Sequence, residues 1–396
     1  MRAISSVIKH GVACFQEDAS HLRVLTGVRG WAALWVFMYH AWAYAKYPPL
    51  VLELFGLPVN LTPLFSMGGV GVTIFFVLSG FLLATPFAQW QAGQRERPRL
   101  GRYLFRRVMR VFPAYYVQLA LLILLAYWTS GQLPIHDLGT LVRHLLMLFM
   151  PPPLGVEPII NLVWWTLPIE FAFYLALPFL AFLLRPERGL WLLAGCLSAM
   201  YLWRHGVVVR LADAPLQMRV HAAYQLPGSM DAFGMGMLAA MLHLNRSRLP
   251  GWLLPATGGS RLGLLGLALV LAAIYWLPGK RAEYWSDSLI FYTWTPALSL
   301  GIAAVLLAGV GGSGVLQRIF GNRYMVFLGL ISYSLYLWHL PVLTWLAAAA
   351  WYPGLTGGRL AWILALSLPS VLVIATLSYL CVERPFMHLR RNSRAS

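Results

Sequence analysis

Runs of about 20 mainly apolar residues recur from Val24 to Cys381, parted by short polar or basic segments, and each run is long enough as helix to cross a hydrocarbon layer roughly 30 Å thick. The pattern predicts ten membrane helices, roughly 24–45, 65–88, 108–129, 163–184, 190–204, 225–243, 262–277, 289–310, 325–348 and 360–381. No short-strand alternation competes with them, which argues against an outer-membrane barrel. An even count puts both termini on one side. The segment 133–162, with Pro151, Pro152, Pro153 and Pro158, cannot be one continuous helix, because each proline removes a backbone donor and restricts the residue before it. Asp137 to Met150 is expected to form a short helix lying on, or re-entering from, the outer side.

Two ionisable residues interrupt the first apolar run. Arg29 and His40 are 11 residues apart, a separation that turns an α-helix through about 1100°, only ~20° beyond three full turns. They share one face and stand ~16–17 Å apart along the axis, one near a membrane surface and the other deep in the bilayer. Such a pair is costly in hydrocarbon and reads as a polar pathway or reaction site facing the protein interior.

Composition strengthens the membrane reading: 59% of residues are hydrophobic and only 11% charged, too little polar surface to enclose a soluble core. A net charge of +17 would suggest nucleic acid in a soluble chain. Here the arginines cluster at the ends of apolar runs. One side collects most of them, among them Arg23, the cluster Arg95–Arg110, Arg318, Arg323 and Arg384; the other has only Lys46, Arg143, Arg204, Arg210, Arg219, Lys280, Arg281 and Arg359. That asymmetry makes the first side cytoplasmic and removes the case for nucleic acid. Cys14, Cys196 and Cys381 have no C-x-x-C spacing, so neither a metal site nor a disulfide framework is expected. Glu17 and Asp18 with no apolar stretch before a small-residue cleavage site argue against a removable signal peptide, leaving the first helix as its own insertion signal. No appended soluble domain is expected beyond the last helix.

Several side chains can carry chemistry. His40 is the strongest, since neutral imidazole can take a proton from a hydroxyl and return it to a leaving group; the structural alternative is a histidine bonded to a neighbouring helix. Glu170, early in the fourth predicted helix, could orient His40, act as base itself, or pair with a structural arginine. Arg99, Arg102, Arg106 and Arg110 recur at spacings of three, four and four, one helical face able to bind phosphates, although positive-inside topology also predicts basic residues there. Arg107 is off this stripe but shares a face with Arg110. Ser332, Tyr336 and His339 give the ninth predicted helix a polar stripe, either substrate-lining or mere helix glue, and Pro341 beyond it should loosen the helix. Glycines at Gly68, Gly69 and Gly71 permit close backbone approach and say little more. Hydrolase-elbow, zinc-protease and P-loop patterns do not occur.

Taken in order, these pieces resemble the membrane acyltransferase family 3, whose bacterial members modify cell-envelope polysaccharides and other acceptors. Val24-Leu-Thr-Gly-Val-Arg-Gly-Trp-Ala-Ala with Tyr39-His40 resembles the family's opening motif. Phe75–Leu83, Arg107–Tyr116 and Trp164–Glu170 resemble the next three, Met230–Gly236 is a weaker echo, and Gly329–Pro341 and Glu383-Arg-Pro385 are close. The resemblance covers about residues 23 to 386. Thr26 stands where the family usually has Asp, so that carboxylate's role must be met otherwise. Some relatives carry an additional extracytoplasmic esterase-like domain.

The resemblance implies a cytoplasmic acyl-CoA donor, with acetyl-CoA expected, and an acceptor from the membrane or outer face. The sequence thus reads as an all-α integral membrane protein of about ten transmembrane helices with both termini cytoplasmic, in the bacterial inner membrane. Residues 1–23 form a cytoplasmic segment, 24–381 the transmembrane acyltransferase domain and 382–396 a basic cytoplasmic tail. The expected activity is O-acyl transfer, in the first instance O-acetylation, to a hydroxyl of an envelope polysaccharide or lipid-linked glycan. His40 would be general base or transient acyl carrier and Glu170 its orienting partner. Arg29, Arg106, Arg107 and Arg110 would hold the donor, Ser332, Tyr336 and His339 would be candidates for the substrate site, and no metal is expected. The rival class is a transporter or flippase in which Arg29, His40 and Glu170 line a path without bond making; an inactive scaffold, for which Thr26 is the hint, is a third.

Overall fold

The structure, a computed structural model, describes residues 20–149, 158–248, 260–285, 288–349 and 358–387. Cys14, the triple proline 151–153, most of segment 1–23 and the end of the tail 382–396 lie outside the described residues. In chain order the elements are α1 (Ser20–Tyr44), the strands β1 (Val51–Leu54) and β2 (Leu57–Asn60), α2 (Thr62–Ser66), α3 (Val70–Gln91), α4 (Leu100–Ser130), α5 (Leu138–Leu145), α6 (Thr166–Leu180), α7 (Gly189–Arg210), α8 (Leu216–Ala223), α9 (Met230–Leu244), α10 (Ser260–Trp276), α11 (Arg281–Tyr284), α12 (Leu289–Val310), α13 (Gly314–Phe320), α14 (Arg323–Leu330), α15 (Ser332–Ala348) and α16 (Arg359–Ser378). A 3-10 turn, Leu162–Trp165, leads into α6, and a π turn, Tyr379–Glu383, continues α16.

Seven helical segments among the described residues are long and apolar enough to cross a membrane, or eight if α14 and α15, bent by 72°, count as one. Their outer faces carry Phe179, Leu190, Trp191, Leu264 and Leu265, all more than half exposed. Water would penalise such a belt and lipid tails do not. The chain is therefore an all-α, multi-pass membrane protein, decorated by one antiparallel hairpin that the sequence pattern missed. Each hairpin strand is only four residues long, too short for alternation to register, and Phe55 and Gly56 close it with positive φ, as a type I′ turn requires.

Three of the ten expected spans are not among those seven: 325–348, which is the bent α14–α15 pair, and the spans carried by α1 and α9. α1 is enclosed by α3, α12, α13, α14, α15 and α16, with Val28, Ala32 and Val36 in the main core and Ala33, Phe37 and Ala41 in a second seam against α15 and α16. A helix covered on all sides can carry Arg29 and His40 toward an interior cavity rather than lipid. α9, 15 residues long, is wedged between α3, α7 and α12 and buried along most of its length. Its approach to α3 depends on glycine. A Cβ on Gly236 would lie 2.0 Å from the Val77 carbonyl oxygen, and one on Gly80 would lie 2.2 Å from that of Phe233.

Other boundaries moved for identifiable reasons. α4 begins at Leu100, eight residues before the expected start at 108, because the arginine-rich turns are helical and only partly outside the apolar run. α7 extends to Arg210, so Arg204 is a fully buried helix residue, 1% exposed, and not the loop cation assumed above. The bend in the ninth predicted helix falls at Ile331, not at Pro341. Pro341 has no N–H for the Leu337 carbonyl four residues earlier. That carbonyl instead accepts from Gln118 Nε2 at 2.7 Å and Asn161 Nδ2 at 3.0 Å. The two amides repair the ladder and tie α15 to α4 and to the turn before α6.

Candidate active site

Three cavities follow one another through the bundle. The inner pocket, about 550 Å³, is walled by the loop after α3 and the first turns of α4, including Arg95, Arg97, Arg99, Arg102, Arg106 and Arg107, with Glu96 the lone carboxylate in its lining. It shares Leu82, Leu83 and Arg107 with a narrow middle cavity of about 70 Å³, where Arg29, Arg107, Arg110 and Glu170 converge with Ser79, Tyr174 and Ser332. The middle cavity shares Val72, Phe76 and Tyr336 with an outer chamber of about 700 Å³ that contains His40. Arg29 and His40 therefore look into adjacent sections of one file, with Tyr336 in the partition between them.

The expected arginines divide along this file. Arg99, Arg102, Arg106 and Arg107 line the inner pocket, whereas Arg110 turns toward the middle cavity. Arg107 belongs to both walls, its guanidinium 5.9 Å from the Tyr174 ring centre, and its buried Nε has no hydrogen-bond partner in the structure. Arg29 lies in the field of two carboxylates, Glu170 and Glu383, and Arg110 in that of Glu383. Glu383, in the π turn, is buried and accepts from the Ser334 hydroxyl. Sequence reasoning quoted this residue within a motif but gave it no task. Buried within electrostatic range of both arginines, it is placed to serve as their counter-charge.

Glu170 and His40 are not brought together. Glu170 accepts from the Ser79 hydroxyl at 2.8 Å and lines the middle cavity alone among the two. The expected Glu170–His40 pairing is thereby corrected: α6 presents Glu170 about one cavity nearer the arginines. The partner of His40 is His339, with His339 Nε2 3.2 Å from His40 Nδ1. His339 is fully buried and lines none of the three cavities, so it does not contact substrate from where it stands.

The hydrogen bonds assign both tautomers. His339 Nδ1 lies 2.7 Å from the Tyr336 carbonyl oxygen, which can only accept, so Nδ1 carries the proton and neutral Nε2 is an acceptor. His40 Nδ1 lies 3.0 Å from the Val36 carbonyl oxygen, so it too is protonated and donates toward Val36 and His339. The second nitrogen of His40, Nε2, is left with its lone pair on a side chain that lines the chamber. This is the arrangement of a base or nucleophile whose far nitrogen is held by neighbours. The repaired Leu337 carbonyl, two residues before His339, fixes the turn that presents it.

Ser332 and Tyr336 have partly structural duties. The Ser332 hydroxyl donates to the Gly329 carbonyl at 2.8 Å, and the Tyr336 hydroxyl sits 3.0 Å from the Val163 carbonyl and 2.9 Å from Thr166 Oγ1. Both still line cavities. Sequence reasoning missed Gln118 and Asn161. The only signal for them was Pro341, which announces an orphan carbonyl without naming its donor. Among the described residues no group of three or more His, Cys, Asp or Glu could hold a metal ion.

Comparison with known proteins supplies the family. A family model described as an acyltransferase domain matches residues 23–379. The chain is 27% identical over 385 residues to the acyltransferase MdmB of Streptomyces mycarofaciens, covering 92% of this chain and 91% of that one. It is 29% identical over 341 residues to the exopolysaccharide production protein ExoZ of Rhizobium meliloti, covering 84% and 93%. With the peptidoglycan O-acetyltransferase OatA of Listeria monocytogenes it shares 25% identity over 352 residues, 82% of this chain but only 52% of the relative. No solved structure matches. With a match over nearly the whole chain and acyltransferases among its relatives, the protein belongs to the membrane acyltransferase family 3 and is a membrane-embedded enzyme transferring acyl groups other than aminoacyl groups.

Proposed function

We propose that the enzyme moves an acyl group from acyl-CoA, in the first instance acetyl-CoA, held at the cytoplasmic face of the bacterial inner membrane, to a hydroxyl of an envelope polysaccharide or lipid-linked glycan at the outer face. The observation that carries this reading is the file of three cavities, arginine-walled at one end and ending in a chamber with the His40 lone pair. The inner pocket suits nucleotide phosphates, which guanidinium forks bind best. The narrow middle section suits an extended pantetheine arm, with Arg29, Arg107 and Arg110 near its anionic end. The excess of arginines at that end supports its cytoplasmic assignment. With it go ten spans, both termini inside, and segments 1–23 and 382–396 flanking the 24–381 membrane domain. The names of ExoZ and OatA support a glycan acceptor.

In this reading His40 Nε2 takes the proton of the acceptor hydroxyl, the oxygen attacks the thioester carbonyl carbon, and the carbon–sulfur bond breaks. The imidazolium then returns its proton to the CoA thiolate. In the covalent variant Nε2 attacks first and CoA leaves as its thiolate; the acceptor hydroxyl then displaces the acyl group from histidine, and its proton ends on the thiolate as CoA thiol. Both need the Nδ1–H tautomer, and His339 supports it by accepting from Nδ1. Glu170 serves as counter-charge in the middle cavity, Tyr336 partitions donor arm from chamber, and Ser332 helps shape the wall of the arm.

The test is CoA release from labelled acetyl-CoA in the wild type and in His40→Ala, with rapid quench in the absence of acceptor. Loss of release in the variant supports the enzyme; unchanged release sinks His40's role. A transporter would move acceptor with no consumption of acetyl-CoA. Protein-bound label absent from His40→Ala selects the covalent route.

A further inference from the structure

The outer chamber contains a second charged group that the acyl-transfer chemistry does not use. Asp231, the second residue of α9, is 1% exposed, lines the chamber, and its Oδ2 has no hydrogen-bond partner in the structure. A carboxylate oxygen withdrawn from water and left unpaired is costly, and a ligand donor recovers that cost. The neighbouring charge is Arg204 of α7. It donates from Nε to the Gly228 carbonyl at 3.0 Å and from one terminal nitrogen to Phe291 O and Thr295 Oγ1 at 2.9 and 2.7 Å. Gly228 is three residues before Asp231, and the guanidinium lies within electrostatic range of the carboxylate. Arg204 Nε and one terminal nitrogen are thus engaged by backbone and hydroxyl acceptors, while Asp231 keeps an oxygen for something else.

Charge decides what that something is. Among the described residues, Arg204 and Asp231 are the only Arg, Lys, Asp or Glu in the chamber lining, one of each sign. A cationic ligand would meet a carboxylate already compensated, and an anionic ligand would meet a guanidinium already balanced by that carboxylate, with Nε and one terminal nitrogen held by protein acceptors. An uncharged hydroxyl fits, donating to Oδ2 without adding net charge. Beside it stand half-buried rings: Trp165 with its centre 6.0 Å from that of Tyr224, and Trp285 with its centre 6.4 Å from it. Such rings offer apolar faces to the C–H side of a sugar ring and polar tips to its hydroxyls.

We propose that Asp231 anchors the acceptor: its unpaired oxygen takes a hydroxyl of a neutral sugar ring, and Arg204 cancels its charge so that uncharged glycosides are selected over charged ones. This rests on the acyl-transfer reading, in which the same ring offers another hydroxyl to His40. Asp231 acts as a positioning residue, setting which ring enters and how it lies, while bond making stays with His40.

The full-length protein in lipid nanodiscs can be titrated with octyl glucoside, octyl glucuronide and octyl glucosamine, following tryptophan fluorescence, since Trp165, Trp285 and Trp294 line the chamber. Expected in the wild type is saturable binding of octyl glucoside, about tenfold tighter than either charged glycoside. Asp231→Asn should weaken octyl glucoside by about tenfold to hundredfold, the effect of losing a hydrogen bond to a charged acceptor. It should also shift preference toward the glucuronide, because Arg204 then lacks its counter-charge, and leave acetyl-CoA binding unchanged. A purely structural role for Asp231 would not produce that reversal of sign. No saturable octyl glucoside signal in the wild type overturns the proposal, as does equal binding of all three glycosides, an unchanged affinity in Asp231→Asn, or parallel loss of acetyl-CoA binding. The wild-type selectivity needs no variant to fold. Failure of the acyl-transfer reading would show separately, as CoA release indifferent to His40→Ala.

Discussion

The two ends of the cavity file are built on opposite electrostatic plans. The inner pocket gathers six arginines around one glutamate, on a loop and helix start where water still screens and solvates the charges. The outer chamber has one arginine and one aspartate, both fully buried, beside His40. The first can bind a polyanion by summed attraction and tolerates imprecise geometry. The second cannot bind by net charge at all and must rely on hydrogen-bond placement and aromatic surface. In the proposed reading, charge number grips the donor while charge balance sorts the acceptor. The middle cavity joins the two plans, because Arg29, Arg107 and Arg110 share its lining with Glu170.

Perturbations should break this contrast one end at a time. The largest effect is expected from His40→Ala, about a hundredfold to ten-thousandfold loss in kcat, the range for a positioned proton-transfer group, with acetyl-CoA affinity preserved in equilibrium binding. Next, Arg107→Ala should raise the KM for acetyl-CoA by about tenfold to hundredfold, as for loss of a charge-assisted hydrogen bond. Acceptor KM should stay unchanged. Raising ionic strength from about 0.1 to 1 M, which shortens the screening length from about 10 to 3 Å, should weaken donor binding and spare octyl glucoside binding. Equal salt sensitivity at both ends would erase the distinction. His339→Leu removes one neutral acceptor from His40 Nδ1 while the Val36 carbonyl remains, so kcat should fall by about three- to tenfold with both KM values held. The smallest effect belongs to Asp137, which caps α5 by accepting from the Thr140 amide at 2.7 Å. Those contacts hold its carboxyl below the usual carboxylate range. The stabilisation is present above the ordinary Asp value, about pH 4, and is lost as the pH falls through the depressed one. Asp137→Ala should lower the melting temperature slightly at neutral pH and not in strong acid, with both cavities unaffected.

Apolar run length determined by itself that the chain is a helical membrane protein, since backbone groups in lipid must be satisfied within the segment and few structures do that. The 11-residue spacing likewise put Arg29 and His40 on one face of α1, because helix periodicity is local. Motif order was enough to point to the family. Tertiary structure alone decided partners. Glu170 sits beside Ser79 and the arginines, and His339 rather than Glu170 holds His40, because helix rotation and depth arise from packing such as the Gly80–Gly236 crossing. Pro341 was visible as a broken ladder, yet its repair by Gln118 and Asn161 spans more than 170 residues of chain. Arg204 changed from loop cation to buried counter-charge when α7 ran two turns further than its apolar pattern. Periodicity is written into neighbouring residues, whereas the pairing of buried charges is a property of helices that meet only after folding.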